Sequence, residues 1–141
     1  EVVIDTGEIV PAVRASMALP GIFQPVVRDG KVLVDGGATN PVPFDVLDDA
    51  CDVTIGVSVL GRRRPTEKEE LPNVVDGVFN TISIMETSIV GEKRRRHPPT
   101  IFIEPDIEGV RILEFHKAST IFEQAKPAQE QLRHELERAL A

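Results

Sequence analysis

Hydrophobic positions along the chain fall into runs whose spacing changes from strand-like to helix-like and back. Val2-Val3-Ile4 reads as the end of a buried strand, broken by Asp5-Thr6-Gly7. Ile9 to Met17 has helical character and is closed by Pro20-Gly21. Pro25 to Val34 carries the clearest local signal. Two valine-rich arms flank Asp29-Gly30, the dipeptide preferred in two-residue type I′ hairpins. A two-residue loop would set Arg28 opposite Lys31, Val27 opposite Val32 and Val26 opposite Leu33. The second arm then ends at Val34 and delivers Asp35-Gly36-Gly37.

Asn40-Pro41-Val42-Pro43 reads as a rigid turn, with Pro43 suited to the first turn of a short helix over Phe44 to Asp49. Val53 to Leu60 is nearly all β-formers and apolar on both faces, the pattern of a central, parallel, doubly covered strand. Gly61 to Pro72 is charged and Pro-bounded, which predicts a surface loop. From Val75 the apolar positions 75, 78, 82, 85 and 89 form a stripe at helical spacing. This predicts a long amphipathic helix ending in Gly91 to His97 and stopped by Pro98-Pro99. Thr100 to Glu104 is a further buried strand. Thr120 and Glu123 have the spacing of a capping box for a last helix striped by Ile121, Ala125, Ala128, Leu132, Leu136 and Ala139. Pro127 should kink or split that helix. Apolar strands alternating with helices argue an α/β fold, with the strands at 2–4, 53–60 and 100–104 in one sheet.

Composition narrows the function classes. With 141 residues the chain is the size of one domain. Its 16 Lys and Arg against 23 Asp and Glu give a net charge of −7, which disfavours nucleic acid and polybasic membrane anchoring. One cysteine excludes a disulfide framework and a zinc site built on paired cysteines. No apolar run approaches the roughly 20 residues that span a bilayer. The start, Glu1-Val-Val-Ile-Asp, has no signal-peptide pattern and no Met, so a piece of a longer or processed product is expected.

Asp35 is the sharpest chemical candidate. It follows an apolar arm and precedes Gly36 and Gly37, whose lack of side chains lets other backbone approach. On the pattern alone the plainer reading is stronger: an aspartate that turns the chain after a hairpin. His97, His116 and His134 share no ligand or triad spacing. Among the serines, Ser16, Ser58, Ser83, Ser88 and Ser119, none lies in a G-x-S-x-G frame. Ser16 suits a helix-end hydrogen bond. Lys93 to Arg96 suits a solvated helix C-terminus, with anionic head groups as the other reading; Arg62 to Arg64 reads the same way. Cys51 is expected as a small buried residue. The stripe from Val75 to Ile89 is expected in the core, with an acyl-pocket edge as the other reading. No cofactor and no metal are expected.

The longer string shifts the balance at Asp35. Glu8, Ala12 to Pro25 and Val34-Asp35-Gly36-Gly37-Ala38-Thr39-Asn40-Pro41-Val42-Pro43 together resemble the second half of the bacterial patatin-like phospholipase family. Glu114 to Ala118 is similar to that family's entry into its last helix. The resemblance implies a three-layer αβα fold, with residues 1–141 as the C-terminal portion of the hydrolase domain. It also implies lipid-ester hydrolysis by a Ser-Asp dyad, with Asp35 as the dyad aspartate and no histidine required. The family's G-x-S-x-G nucleophile and glycine-rich oxyanion loop have no counterpart here, so the chain is expected to be inert alone. Its implied partners are a lipid or ester substrate and the N-terminal half of the same parent polypeptide, with homo-oligomers forming through exposed core. The implied location is the cytoplasm or the membrane periphery. The competing reading is a non-catalytic α/β interaction domain with a degenerate site.

Overall fold

The computed structural model describes residues 1–47, 51–60, 74–110 and 114–141. It is mixed α/β and divides into two compact units, Glu1–Pro41 and Val42–Ala141.

In the first unit, α1 spans Ile9–Ser16, and β1 (Val26–Arg28) pairs antiparallel with β2 (Lys31–Leu33). The register is Val26↔Leu33, Val27↔Val32 and Arg28↔Lys31, as the two-residue loop predicts. Asp29 at φ 50° and Gly30 at φ 73° give the two left-handed residues that a type I′ turn needs. Residues 2–4 do not form the expected strand. They join no ladder among the described residues, and Val2 and Val3 are exposed. A strand needs a neighbour for its N–H and C=O groups, and apolarity alone does not supply one. The Arg28 guanidinium ties this segment to the hairpin by donating to the Thr6 carbonyl at 3.2 Å.

The second unit holds β3 (Ile55–Val57), α2 (Val74–Arg96), β4 (Ile101–Ile103) and α3 (Ala118–Ala139). β3 and β4 pair in parallel with Gly56 opposite Phe102. The ladder begins with a reciprocal clamp, in which the Thr54 and Thr100 amides each donate to the other's hydroxyl at 3.1 Å. It closes with the Ser58 amide on the Ile103 carbonyl at 2.8 Å. The core gathers Val42, Phe44 and Val90, with Leu60 and Phe102 packed against them. The Phe44 and Phe102 rings meet edge to face at 6.1 Å, and Arg94 stacks over Phe102. Lys93 pairs with Asp45 at 2.7 Å, pinning the end of α2 to the turn Phe44–Val46.

Several expectations are corrected. The segment 53–60 is not covered on both faces: Gly56 is buried, but Ile55 and Val57 are exposed, as is Val59 next to them. α3 packs beside β4, whose Ile101 and Ile103 are buried, and β3 keeps its apolar side open. The 75–89 stripe is buried only in part: Ile82 and Ile89 are half-buried, Val78 and Met85 are exposed, and the contact with the core cluster comes from Val90. The Thr120/Glu123 capping box does not form, because a short turn at Phe115–Lys117 runs directly into α3 two residues earlier. Glu123 pairs with Lys126 instead. α3 runs through Pro127 unsplit, with Ile121, Ala125, Ala128, Leu132 and Leu136 half-buried and Ala139 exposed. The short helix over 44–49 is one turn at Phe44–Val46, and its last part lies outside the described residues. The predicted loop 61–72, with Arg62 to Arg64, also lies outside them.

Candidate active site

The hairpin ladder ends at Leu33, two residues short of Asp35. At that point the Asp35 amide donates to the Ala18 carbonyl at 3.0 Å. Ala18 sits just past the end of α1. That helix is closed by the Met17 amide on Val13 and the Ala18 amide on Ala15. Ala15 and Ala18 are both buried.

Asp35 has φ −48° and ψ 131°, the non-helical geometry of a residue that caps a helical turn. Its Oδ1 accepts the Gly37 amide at 2.7 Å, and Gly36–Ala38 winds into a single turn behind it. The Asn40 amide closes that turn on the Gly36 carbonyl at 2.9 Å. The carboxylate is half-buried, and no donor among the described residues engages Oδ2. One oxygen is therefore held and the other is open. A carboxylate so arranged can accept a proton from a hydroxyl presented to its free oxygen, within the reach that general-base transfer needs.

The residues around this point belong to the same unit. Asn40 is buried and donates through Nδ2 to Glu1 at 2.6 Å, tying the segment after the turn back to the first residue. A cavity of about 200 Å³ lies between residues Val2–Thr6 and the hairpin residues Arg28, Asp29, Lys31 and Leu33; Asp35 is outside its lining. The first unit also carries much exposed apolar surface. Ile9, Val10, Val13 and Met17 fall within about 100° of one another at helical spacing, and all four are exposed. α1 thus turns its apolar face outward and its alanines inward.

The remaining candidates take no part in this constellation. Ser16 is exposed at the end of α1, and Ser119 is exposed in the first turn of α3. Ser88 donates to the Ile84 carbonyl within α2, and Ser83 is half-buried on the same helix. Ser58 is buried with no hydrogen-bond partner for Oγ among the described residues. His97, His116 and His134 are exposed, and His134 stands 3.9 Å from Glu137. Cys51 is exposed rather than buried. In the basic run Arg95 and Arg96 both pair with Glu92, the arrangement of a solvated helix end. The Arg96 hydrogen bond, then the charges of Arg95 and Arg96, hold the Glu92 carboxyl below the usual range. Among the described residues no group of three His, Cys, Asp or Glu side chains could hold a metal ion, and no helix is long and apolar enough to cross a membrane. The Ala18 contact went unread in the sequence, because it is made by a backbone carbonyl that no side-chain pattern marks.

Comparison with known proteins places this site in context. The model of the patatin-like phospholipase family matches residues 2–48, about a third of the chain, and Asp35 lies inside that stretch. An uncharacterized NTE family protein of Mycobacterium tuberculosis is 38% identical over 69 residues, 48% of this chain and 19% of the relative. Lysophospholipase NTE1 of Kluyveromyces lactis is 28% identical over 134 residues, 79% of this chain and 9% of the relative. Lysophospholipase NTE1 of Candida glabrata is 30% identical over 134 residues, 78% of this chain and 8% of the relative. The chain therefore spans about a fifth or less of the length of these relatives.

Proposed function

We propose that this chain carries the proton-accepting aspartate of a serine esterase or phospholipase acting on acyl-ester lipids. Asp35 forms a Ser-Asp dyad with a serine supplied by the N-terminal half of the same parent polypeptide. The carrying observation is the Asp35 carboxylate itself, clamped through Oδ1 by the Gly37 amide and open at Oδ2, within the stretch that matches the patatin-like phospholipase model. The activity for which the NTE1 relatives are named, lysophospholipase, supports the substrate class.

The chemistry follows from one open carboxylate oxygen. Oδ2 takes the serine proton as Oγ attacks the ester carbonyl. The tetrahedral intermediate collapses, the C–O bond to the alcohol breaks, and Asp35 returns the proton to the departing alcohol. Water then attacks the acyl-enzyme and gives its proton to Asp35. Collapse releases the fatty acid and reprotonates the serine. No step needs a histidine, a metal or a cofactor. The N-terminal half of the parent also accounts for the outward apolar face of α1 and for Val2 and Val3, which it would cover. Isolated, the chain is inert and hides that surface by self-association.

The test is product analysis. The parent polypeptide, incubated with lysophosphatidylcholine micelles, releases free fatty acid, and the 141-residue chain alone releases none. Absence of fatty acid and of any other acyl-ester cleavage by the parent would overturn the reading in favour of a non-catalytic interaction domain.

A further inference from the structure

We infer that Ala18 is the positioning residue for Asp35, an assignment that rests on reading Asp35 as the proton acceptor. Three hydrogen bonds hold this aspartate, and they do different work: the Ala38 amide on the Asp35 carbonyl, at 3.4 Å, closes the turn behind it. The Gly37 amide on Oδ1 is local: it lies two residues on and moves with the turn, so it sets which way the carboxylate points. It does not set where the carboxylate stands. The β1–β2 ladder does not either, because its last pair is Val26↔Leu33. The Asp35 amide has passed beyond any strand partner, and it is the Ala18 carbonyl that receives it, at 3.0 Å. This bond joins residues 17 apart in sequence and fixes the strand exit to the end of α1.

The carbonyl is itself held in place. The Ala18 amide is bonded back to Ala15, and the Leu19 amide closes on Met17 at 2.8 Å. The chain then reverses through Gly21 at φ 84°. Ala18 is 1% exposed and Ala15 3%, so a branched side chain at either position has to displace its surroundings. A branched side chain at 18 pushes the end of α1 away from the strand exit, and the Asp35 amide follows its acceptor or loses it. Displacement of a reacting group by about 1 Å costs on the order of 10² in rate. Substrate binding by other parts of the site is left alone, so the loss falls on kcat and spares KM.

The experiment uses the parent polypeptide with p-nitrophenyl butyrate, reading kcat and KM. Fluorophosphonate labelling run to completion counts competent serines, and a melting curve is taken alongside. Ala18→Val should lower kcat per labelled site by about 10²-fold with KM unchanged, and Ala18→Ser, one atom larger, should stay within about threefold of the parent. Ala18→Gly keeps the carbonyl but loosens its backbone, and should lower kcat by roughly three- to tenfold. It carries the test if the valine variant does not fold. Asp35→Asn run in parallel separates the two levels of the argument. If Asp35→Asn abolishes turnover while Ala18→Val and Ala18→Gly keep kcat per labelled site, the positioning role is wrong and the dyad reading stands. If the labelled fraction and melting temperature fall but kcat per labelled site does not, Ala18 is only structural and the inference is overturned. If Asp35→Asn itself keeps full turnover, both fall together.

Discussion

Gly56 is the point where the second unit can be tested most sharply. A methyl group added there would lie 2.9 Å from Cδ2 of Phe102 and 3.0 Å from Cδ1 of Phe44. Carbon atoms rest about 3.5–4.0 Å apart, so both rings would have to withdraw by roughly 0.5–1 Å. Neither has an easy direction. Phe44 is 2% exposed, the two rings brace each other edge to face, and Arg94 lies 3.9 Å from the centre of the Phe102 ring. Overpacking of this kind costs about 1–3 kcal/mol. Alanine recovers about 0.4–1 kcal/mol by restricting the unfolded chain. Gly56→Ala should therefore destabilise the protein by a net of about 1–2 kcal/mol. At a denaturant slope of about 1–3 kcal/mol per M, the urea midpoint falls by roughly 0.3–2 M. Far-UV circular dichroism is the suitable probe, since the chain has no Trp or Tyr. Adding Phe102→Leu to Gly56→Ala should make room for the methyl, so the double variant loses less than the sum of the singles. A Gly56→Ala protein that unfolds at the same or higher urea would refute the packing described around β3.

Three further outcomes are expected. A Cβ added at Gly30 meets no atom within 4 Å but stands at φ 73°, so Gly30→Ala should cost about 1–2 kcal/mol through the backbone in the same urea titration. Glu92 has a lowered folded pKa, so its pairs with Arg95 and Arg96 support the last turn of α2 above the ordinary glutamate value and lose that support as pH falls below about 4.3. Glu92→Gln should flatten the small acid-induced loss of helix signal at 222 nm, and an unchanged titration would show that the pairs contribute nothing. The isolated chain should sediment as an oligomer through Ile9, Val10, Val13 and Met17, and Val13→Asp should shift it toward monomer. A monodisperse wild-type monomer would contradict that use of the surface.

How far the sequence reveals this molecule depends on the range of the interactions involved. The hairpin was legible to the residue, because Asp29-Gly30 dictates its turn and the turn dictates the register. The α/β class and the position of α1 follow from spacing in the same local way. Pairing between distant strands is different. Residues 2–4 have a strand's composition, but the ladder that forms joins 55–57 to 101–103. The apolar stripe on α2 is only partly covered for a related reason, since periodicity reports that a face is apolar and not what covers it; here Ile82 and Ile89 are half-buried, Val78 and Met85 are exposed, and the buried residue is Val90. At α3 the capping-box spacing lost to the Phe115–Lys117 turn, which starts the helix upstream of Thr120. At the site, Asp35 and its two glycines could be singled out from sequence. The Gly37 clamp fits the known habit of aspartate in turns, whereas the Ala18 carbonyl needed the fold.

The central claim is that Asp35 is a general base and not merely a residue that turns the chain. Asparagine at this position keeps the size and an Oδ1 able to accept the Gly37 amide, but lacks the basic carboxylate oxygen. The decisive measurement is p-nitrophenyl ester hydrolysis by the parent polypeptide carrying Asp35→Asn, with a melting curve on the same sample. The account predicts a loss of turnover on the order of 10²–10⁴ with the melting temperature nearly unchanged. Full turnover in a folded Asp35→Asn protein would contradict it and leave Asp35 as a cap for the Gly36–Ala38 turn.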